Sequence, residues 1–137
     1  MSRRIYTGSR YARVVPMSDI RKAVSSALAN FRKQGYLALQ NTDGDIYKVT
    51  KRCKDAEEKG KPYKGYVFSE KWEWRAKNNT LVTYFSYGAT NSDGEKATVA
   101  VAKKLVAALT EAGLTVEWNG TQYDCVTVVT ENWEEKY

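Results

Sequence analysis

Apolar residues return along this chain with two rhythms, and each predicts a different kind of element. Ile20, Val24, Ala27, Leu28 and Phe31 recur at helical spacing and form one stripe, with Arg21, Lys22, Arg32 and Lys33 mostly off it. Ser18 stands where an N-cap is expected, Asp19 suits the positive end of the helix dipole, and Gly35 provides a left-handed stop. The pattern predicts a helix over 18–34. A short strand follows at Tyr36–Gln40, closed by the turn residues Asn41-Thr42-Asp43-Gly44. Ile46, Val49, Cys53 and Ala56 then fit a helical face, although Ile46–Thr50 alone would also pass as a strand. The helical reading, over 45–59, ends at Gly60 before Pro62.

The second rhythm has period two. Tyr66, Phe68, Trp72 and Trp74 share one parity and Val67, Ser69, Lys71 and Glu73 the other, which predicts a strand over 65–74 with four aromatics on one face. Ala76-Lys77-Asn78-Asn79 reads as a hairpin loop to a return strand over 80–87 that Gly88 ends. Ser92 and Glu95 then form an S-x-x-E capping box at the head of a helix with a broad apolar face (Val99, Val101, Ala102, Leu105, Val106, Leu109), and Gly113 closes it. Leu114, Val116 and Trp118 alternate with polar residues as a strand. Asn119-Gly120 turns into a last strand at Tyr123–Thr130, which places Cys125 in the core, and Trp133 anchors a charged tail.

The order α-β-(α)-β-β-α-β-β, joined by short turns, predicts an α+β two-layer sandwich: a mostly antiparallel sheet of about five strands with two or three helices on one face. Residues 1–137 read as a single domain. Residues 1–16, rich in Arg and Tyr, read as a loosely attached basic arm, with an edge strand at Arg10–Val15 as the alternative.

Composition narrows the functional classes. Hydrophobic residues at 42% place the chain among globular proteins. No apolar run is long enough to span a bilayer, and the N-terminal segment lacks the apolar core of a secretory signal. Two cysteines, Cys53 and Cys125, are too few for a disulfide scaffold and fit a cytoplasmic location, with one bridge between them left open. Histidine is absent altogether, which removes the commonest general base, triad partner and metal ligand. Charge is uneven: residues 1–77 carry 18 Lys and Arg against 8 Asp and Glu, and the remainder 4 against 8. That surplus fits either an ordinary solvated surface or a face that attracts polyanions.

Gly65–Phe68 (GYVF), the strand ending Tyr87-Gly88, Ala107–Thr121 (AALTEAGLTVEWNGT) and the upstream LANFRKQGYLALQN resemble the bacterial domain-of-unknown-function family DUF6891 over about residues 20–133. The resemblance implies the fold and no established activity. Members often carry clustered cysteines after the first strand, whereas this chain has Cys53 alone, so the resemblance implies no thiolate metal site here.

Candidate chemistry is sparse. Cys53 lies in Lys51-Arg52-Cys53-Lys54, a basic setting that lowers a thiol pKa, but no histidine is available as its base. Asp43/Asp45 and Glu70/Glu73 are paired carboxylates. The first pair sits in a turn that faintly resembles a calcium loop without the downstream bidentate Glu. No phosphate-cradling or dinucleotide motif occurs. The expectation is therefore a non-enzymatic protein with no cofactor and no metal. It binds a protein partner or itself, in the manner of a phage or mobile-element accessory protein acting on a host factor. The alternative is nucleic-acid binding through the basic first half and the aromatic strand. The candidate binding residues are Trp72, Trp74, Arg75, Lys71, Lys51, Arg52 and Lys54.

Overall fold

The computed structural model describes residues 4–7, 15–75, 80–90, 94–130 and 133–134. The elements in chain order are β1 (Arg4–Thr7), β2 (Val15–Pro16), α1 (Met17–Lys33), β3 (Leu37–Thr42), α2 (Ile46–Glu58), β4 (Gly65–Glu70), β5 (Glu73–Arg75), β6 (Thr80–Ala89), α3 (Gly94–Glu111), β7 (Thr115–Trp118), β8 (Val126–Thr130) and β9 (Trp133–Glu134). One sheet runs β1-β7-β8-β6-β4-β3, with β5 pairing β6 beyond β4; every pairing in it is antiparallel except β3 with β4. The short strands β2 and β9 pair in parallel apart from it. The fold is α+β, as the pattern predicts.

All three helices end in the same hydrogen-bonded stop. Gly35, Gly60 and Gly113 have φ of 95°, 76° and 95°. The amide after each glycine reaches back to Phe31, Ala56 or Leu109, and the glycine's own amide to Arg32, Glu57 or Thr110. Only glycine adopts that left-handed conformation without strain, so the helix stops follow from sequence alone. The N-termini differ. Asp45 caps α2, its carboxylate accepting from the Tyr47 amide at 2.9 Å. Helix α1 begins at Met17, so Ser18 lies within its first turn; Ser92, half of the expected capping box, lies outside the described residues.

Alternation divides the sheet into two faces. Helices α1 and α3 cover one, burying Leu28, Phe31, Leu105 and Leu109 against Val67, Phe85, Val116, Trp118 and Val128. The other face carries Leu37 and Phe68, which pack with Val49 of α2. Two helices thus share a face as expected, and the third sits across the sheet from them, making three layers over β3 and β4. The reason is topological: β3 and β4 are parallel, and their connection has to cross over the sheet as a helix.

Several boundaries depart from expectation. Arg4–Thr7, read as part of a loose basic arm, is the edge strand, in register with Thr115–Trp118. The alternative strand at Arg10–Val15 falls mostly outside the described residues, as do the 76–79 loop and most of the tail. Tyr123 and Cys125 precede β8 rather than entering it, and Cys125 is half-buried rather than core, its Sγ 3.8 Å from Thr127 Oγ1. The 119–124 segment is instead a pinned turn. Trp118 Nε1 donates to Tyr87 Oη (3.0 Å) and to the Thr121 carbonyl (3.1 Å), and Tyr87 Oη donates to the Thr121 and Asp124 carbonyls (2.8 and 2.6 Å).

Candidate functional site

Two adjacent strands each carry one extra residue at the same end of the sheet. In β3 the register moves from Leu39↔Phe68 to Thr42↔Glu70, three steps against two. Along the edge formed by β4 and β5 it moves from Ser69↔Phe85 to Glu73↔Val82, four steps against three. Each is a β-bulge, a device that re-aims side chains beside binding sites. Asn41 in the first bulge has φ of 59°, a left-handed conformation that asparagine tolerates better than most residues.

The second bulge overturns the expected aromatic face. One inserted residue within 69–73 breaks the strict alternation. Tyr66 and Phe68 therefore stack with each other on the α2 side, their centroids 6.0 Å apart, while Trp72 packs against the core beneath α1. Period-two reading carries the wrong parity past Glu70 because a bulge leaves no compositional mark in SEKWEW.

Trp72 now lines a cleft of about 130 Å³ with Arg21, Val24, Gln40, Asn41, Ser69 and Thr83. Its walls are braced. Ser69 and Thr83 are buried; Ser69 Oγ accepts from the Asn41 amide (3.0 Å) and Thr83 Oγ1 donates to the Glu70 carbonyl (2.7 Å). Thr42 Oγ1 donates to the Ser69 carbonyl (2.8 Å), tying the two bulges together, and Gln40 Nε2 donates to Ser25 Oγ (2.8 Å), tying β3 to α1. The cleft opens at the carboxyl ends of the main sheet's one parallel pair, β3 and β4. Sequence reasoning reached Trp72 and missed Arg21, Gln40, Asn41, Ser69 and Thr83. Asn41 was legible only as a turn former, and nothing in the pattern marks Ser69 or Thr83.

The remaining expected site residues are not gathered here. Lys71 is exposed beside Trp72. Trp74 and Arg75 pair by backbone with Leu81 and Thr80, and their side chains lie outside the described residues. Lys51, Arg52 and Lys54 are exposed on α2, across the sheet from Trp72. Residues 43–61 around them hold six Lys and Arg against five Asp and Glu, so this segment presents no single-sign field.

Cys53 and Asp43 are each engaged in structure. Burial against Leu37, Val49 and Phe68 pushes the Cys53 thiol up, outweighing the neighbouring Arg52 charge, the reverse of the expected activation. Asp43 is held low by hydrogen bonds from Lys48 Nζ (2.5 Å) and the Asp45 amide (3.1 Å), an exposed turn arrangement rather than a cation site. Cys53 and Cys125 form no bridge. Among the described residues no three His, Cys, Asp or Glu side chains gather as metal ligands, and no described helix is long and apolar enough to cross a membrane.

The model of a family described as a domain of unknown function, DUF6891, matches residues 19–137. The chain belongs to DUF6891. The match takes in both bulges and every residue of the cleft, and leaves β1 outside it. No curated protein and no solved structure matches the chain.

Proposed function

We propose that this DUF6891 protein is a non-enzymatic binding protein that engages another protein at the paired-bulge cleft. The observation that carries the reading is Trp72, half-buried beside Arg21 in a braced recess. Tryptophan and arginine in rigid surroundings dominate binding energy at protein interfaces. The described cleft lining supplies amides, hydroxyls and a guanidinium, a set suited to recognition. The reading extends to an accessory role in phage or mobile elements, blocking a host factor, and sequencing the neighbouring genes tests that extension.

Nucleic-acid binding is the alternative, and it draws on the basic first half of the chain. It is less well supported, because the α2 cations and Trp72 occupy opposite faces and acidic residues interrupt the cations.

Co-purification of tagged protein from its native cells, followed by titration of the purified partner, tests the reading. Arg21→Ala should weaken binding by roughly ten-fold or more with unfolding temperature retained, and Trp72→Ala should weaken it similarly while circular dichroism shows the fold intact, at some cost in stability from lost core packing. A partner bound equally well by both folded variants would refute the cleft. DNA or RNA retarded at low salt, and released when Lys51, Arg52 and Lys54 are reversed to Glu, would favour the alternative.

A further inference from the structure

A second recess lies at the opposite end of β4, where the C-terminal turn of α1 meets α3. Its volume is about 390 Å³, and Ala89, Ala97 and Ala100 floor it between Lys64, Lys104 and Tyr36. Among the described residues that line it, none is acidic.

Both lysines are positioned. The stem of Lys64 lies across Gly35, its Cγ, Cδ and Cε 3.6–3.7 Å from where a β-carbon on that glycine would sit, and the Lys64 amide donates to the Gly35 carbonyl at 3.0 Å. Lys104 Nζ lies 5.4 Å from the centroid of the Tyr36 ring and donates to Gln34 Oε1 at 2.7 Å. The turn that stops α1 therefore holds the Lys64 stem and the Lys104 ammonium beside an apolar trough that both residues line. Side chains already restrained lose less entropy on binding.

We propose that this trough docks an acidic, apolar segment of a partner protein, one aliphatic side chain on the alanine floor and flanking carboxylates on Lys64 and Lys104. The proposal rests on the reading of the chain as a protein-binding molecule and adds a second contact surface to it. The chemistry favours a peptide over a nucleic acid. Tyr36, the ring at the site, has the Lys104 ammonium over its face and packs with Phe31 edge-on at 5.2 Å, so it offers no stacking platform to a base. The methyl floor suits an aliphatic group, and the two lysines, with no carboxylate among the described lining residues, favour negative charge.

The test uses the ¹⁵N-labelled full chain and a capped synthetic nonapeptide of repeating Glu-Leu-Glu at low salt. Amides of Tyr36, Lys64, Ala97, Ala100 and Val101 should shift together. The doubly substituted Lys64→Gln, Lys104→Gln protein should bind roughly five-fold more weakly or worse. Ala100→Phe keeps both charges, fills the trough and should block binding. Trp72→Ala should leave peptide binding unchanged, which separates this surface from the paired-bulge cleft. Absence of shifts in the lining amides, or an equal response to a Lys-Leu-Lys peptide, overturns the proposal. So does tighter binding of oligothymidylate at the same amides. A native partner that depends on Trp72 but ignores the trough variants would remove this surface and leave the binding reading standing.

Discussion

Cys53 has Arg52 beside it and lysines at positions 51 and 54, yet its thiol titrates above the ordinary value because it is packed against Val49 and Phe68. Alkylation by iodoacetamide in a Cys125→Ser background should therefore be slower at neutral pH than for an unstructured cysteine, and intact-mass kinetics measure it. Rapid modification at pH 7 would contradict the burial argument. Tyr87 shows the opposite balance of exposure and work. It is 8% exposed, stands edge-on to Trp118 with centroids 6.4 Å apart, and holds the 119–124 turn. Tyr87→Phe should cost about 1–2 kcal/mol in chemical denaturation, the worth of a buried hydroxyl's hydrogen bonds. Burial also raises the Tyr87 pKa from 10.0. A raised phenol pKa favours the neutral form in the folded state, so its stabilisation is full below the unfolded value and fades as pH rises through the folded one. As pH rises past the unfolded value of 10.0, the wild type should lose stability more steeply than Tyr87→Phe. The pinned turn was legible as Asn119-Gly120; its support from a tyrosine 31 positions before Trp118 was not.

At the scale of elements, the helix stops and most helix spans could be read directly, since one glycine and a local apolar stripe determine each. Helix α2 was ambiguous for a physical reason: within the described core it contributes Val49 as its one fully buried side chain, so its apolar stripe is short. Val49→Ala should speed amide exchange across 46–58 well before it affects α1 or α3, and hydrogen-exchange mass spectrometry resolves the two outcomes. Uniform loss of protection would show that α2 is cooperative with the main core. Strand β6 has a tighter constraint. A β-carbon on Gly88 would fall 2.5–2.8 Å from the Tyr66 ring, and one on Gly65 would fall 2.6 Å from the Gly88 carbonyl oxygen. Gly88→Ala should cost about 1–3 kcal/mol by overpacking. A Tyr66→Ala, Gly88→Ala double variant should relieve the overpacking part of that cost. The tail of one motif, Tyr87-Gly88, thus marks close contact between β4 and β6 and not merely a strand end.

At the scale of the molecule, β1 adds a sheet edge that the basic character of the N-terminal segment concealed. Its register with β7 puts Arg4–Thr7 against Thr115–Trp118, so removing residues 1–7 strips the hydrogen-bonding partner from β7. Such a truncation should lower the thermal midpoint and promote association through the bared edge, seen in scanning calorimetry and light scattering. An unchanged midpoint would mean that the strand contributes nothing. The amino-acid sequence by itself determined the fold class, three helices with their glycine stops, the central hairpin and the family, because each rests on local periodicity or on a contiguous motif. Only the tertiary structure decided which face each aromatic occupies, where α2 packs and which residues make a site. Those depend on two single-residue bulges and one parallel strand pairing, which join Arg21, Asn41, Ser69 and Trp72 across tens of residues and leave no periodic trace. The candidate cleft therefore lies where the period-two pattern breaks.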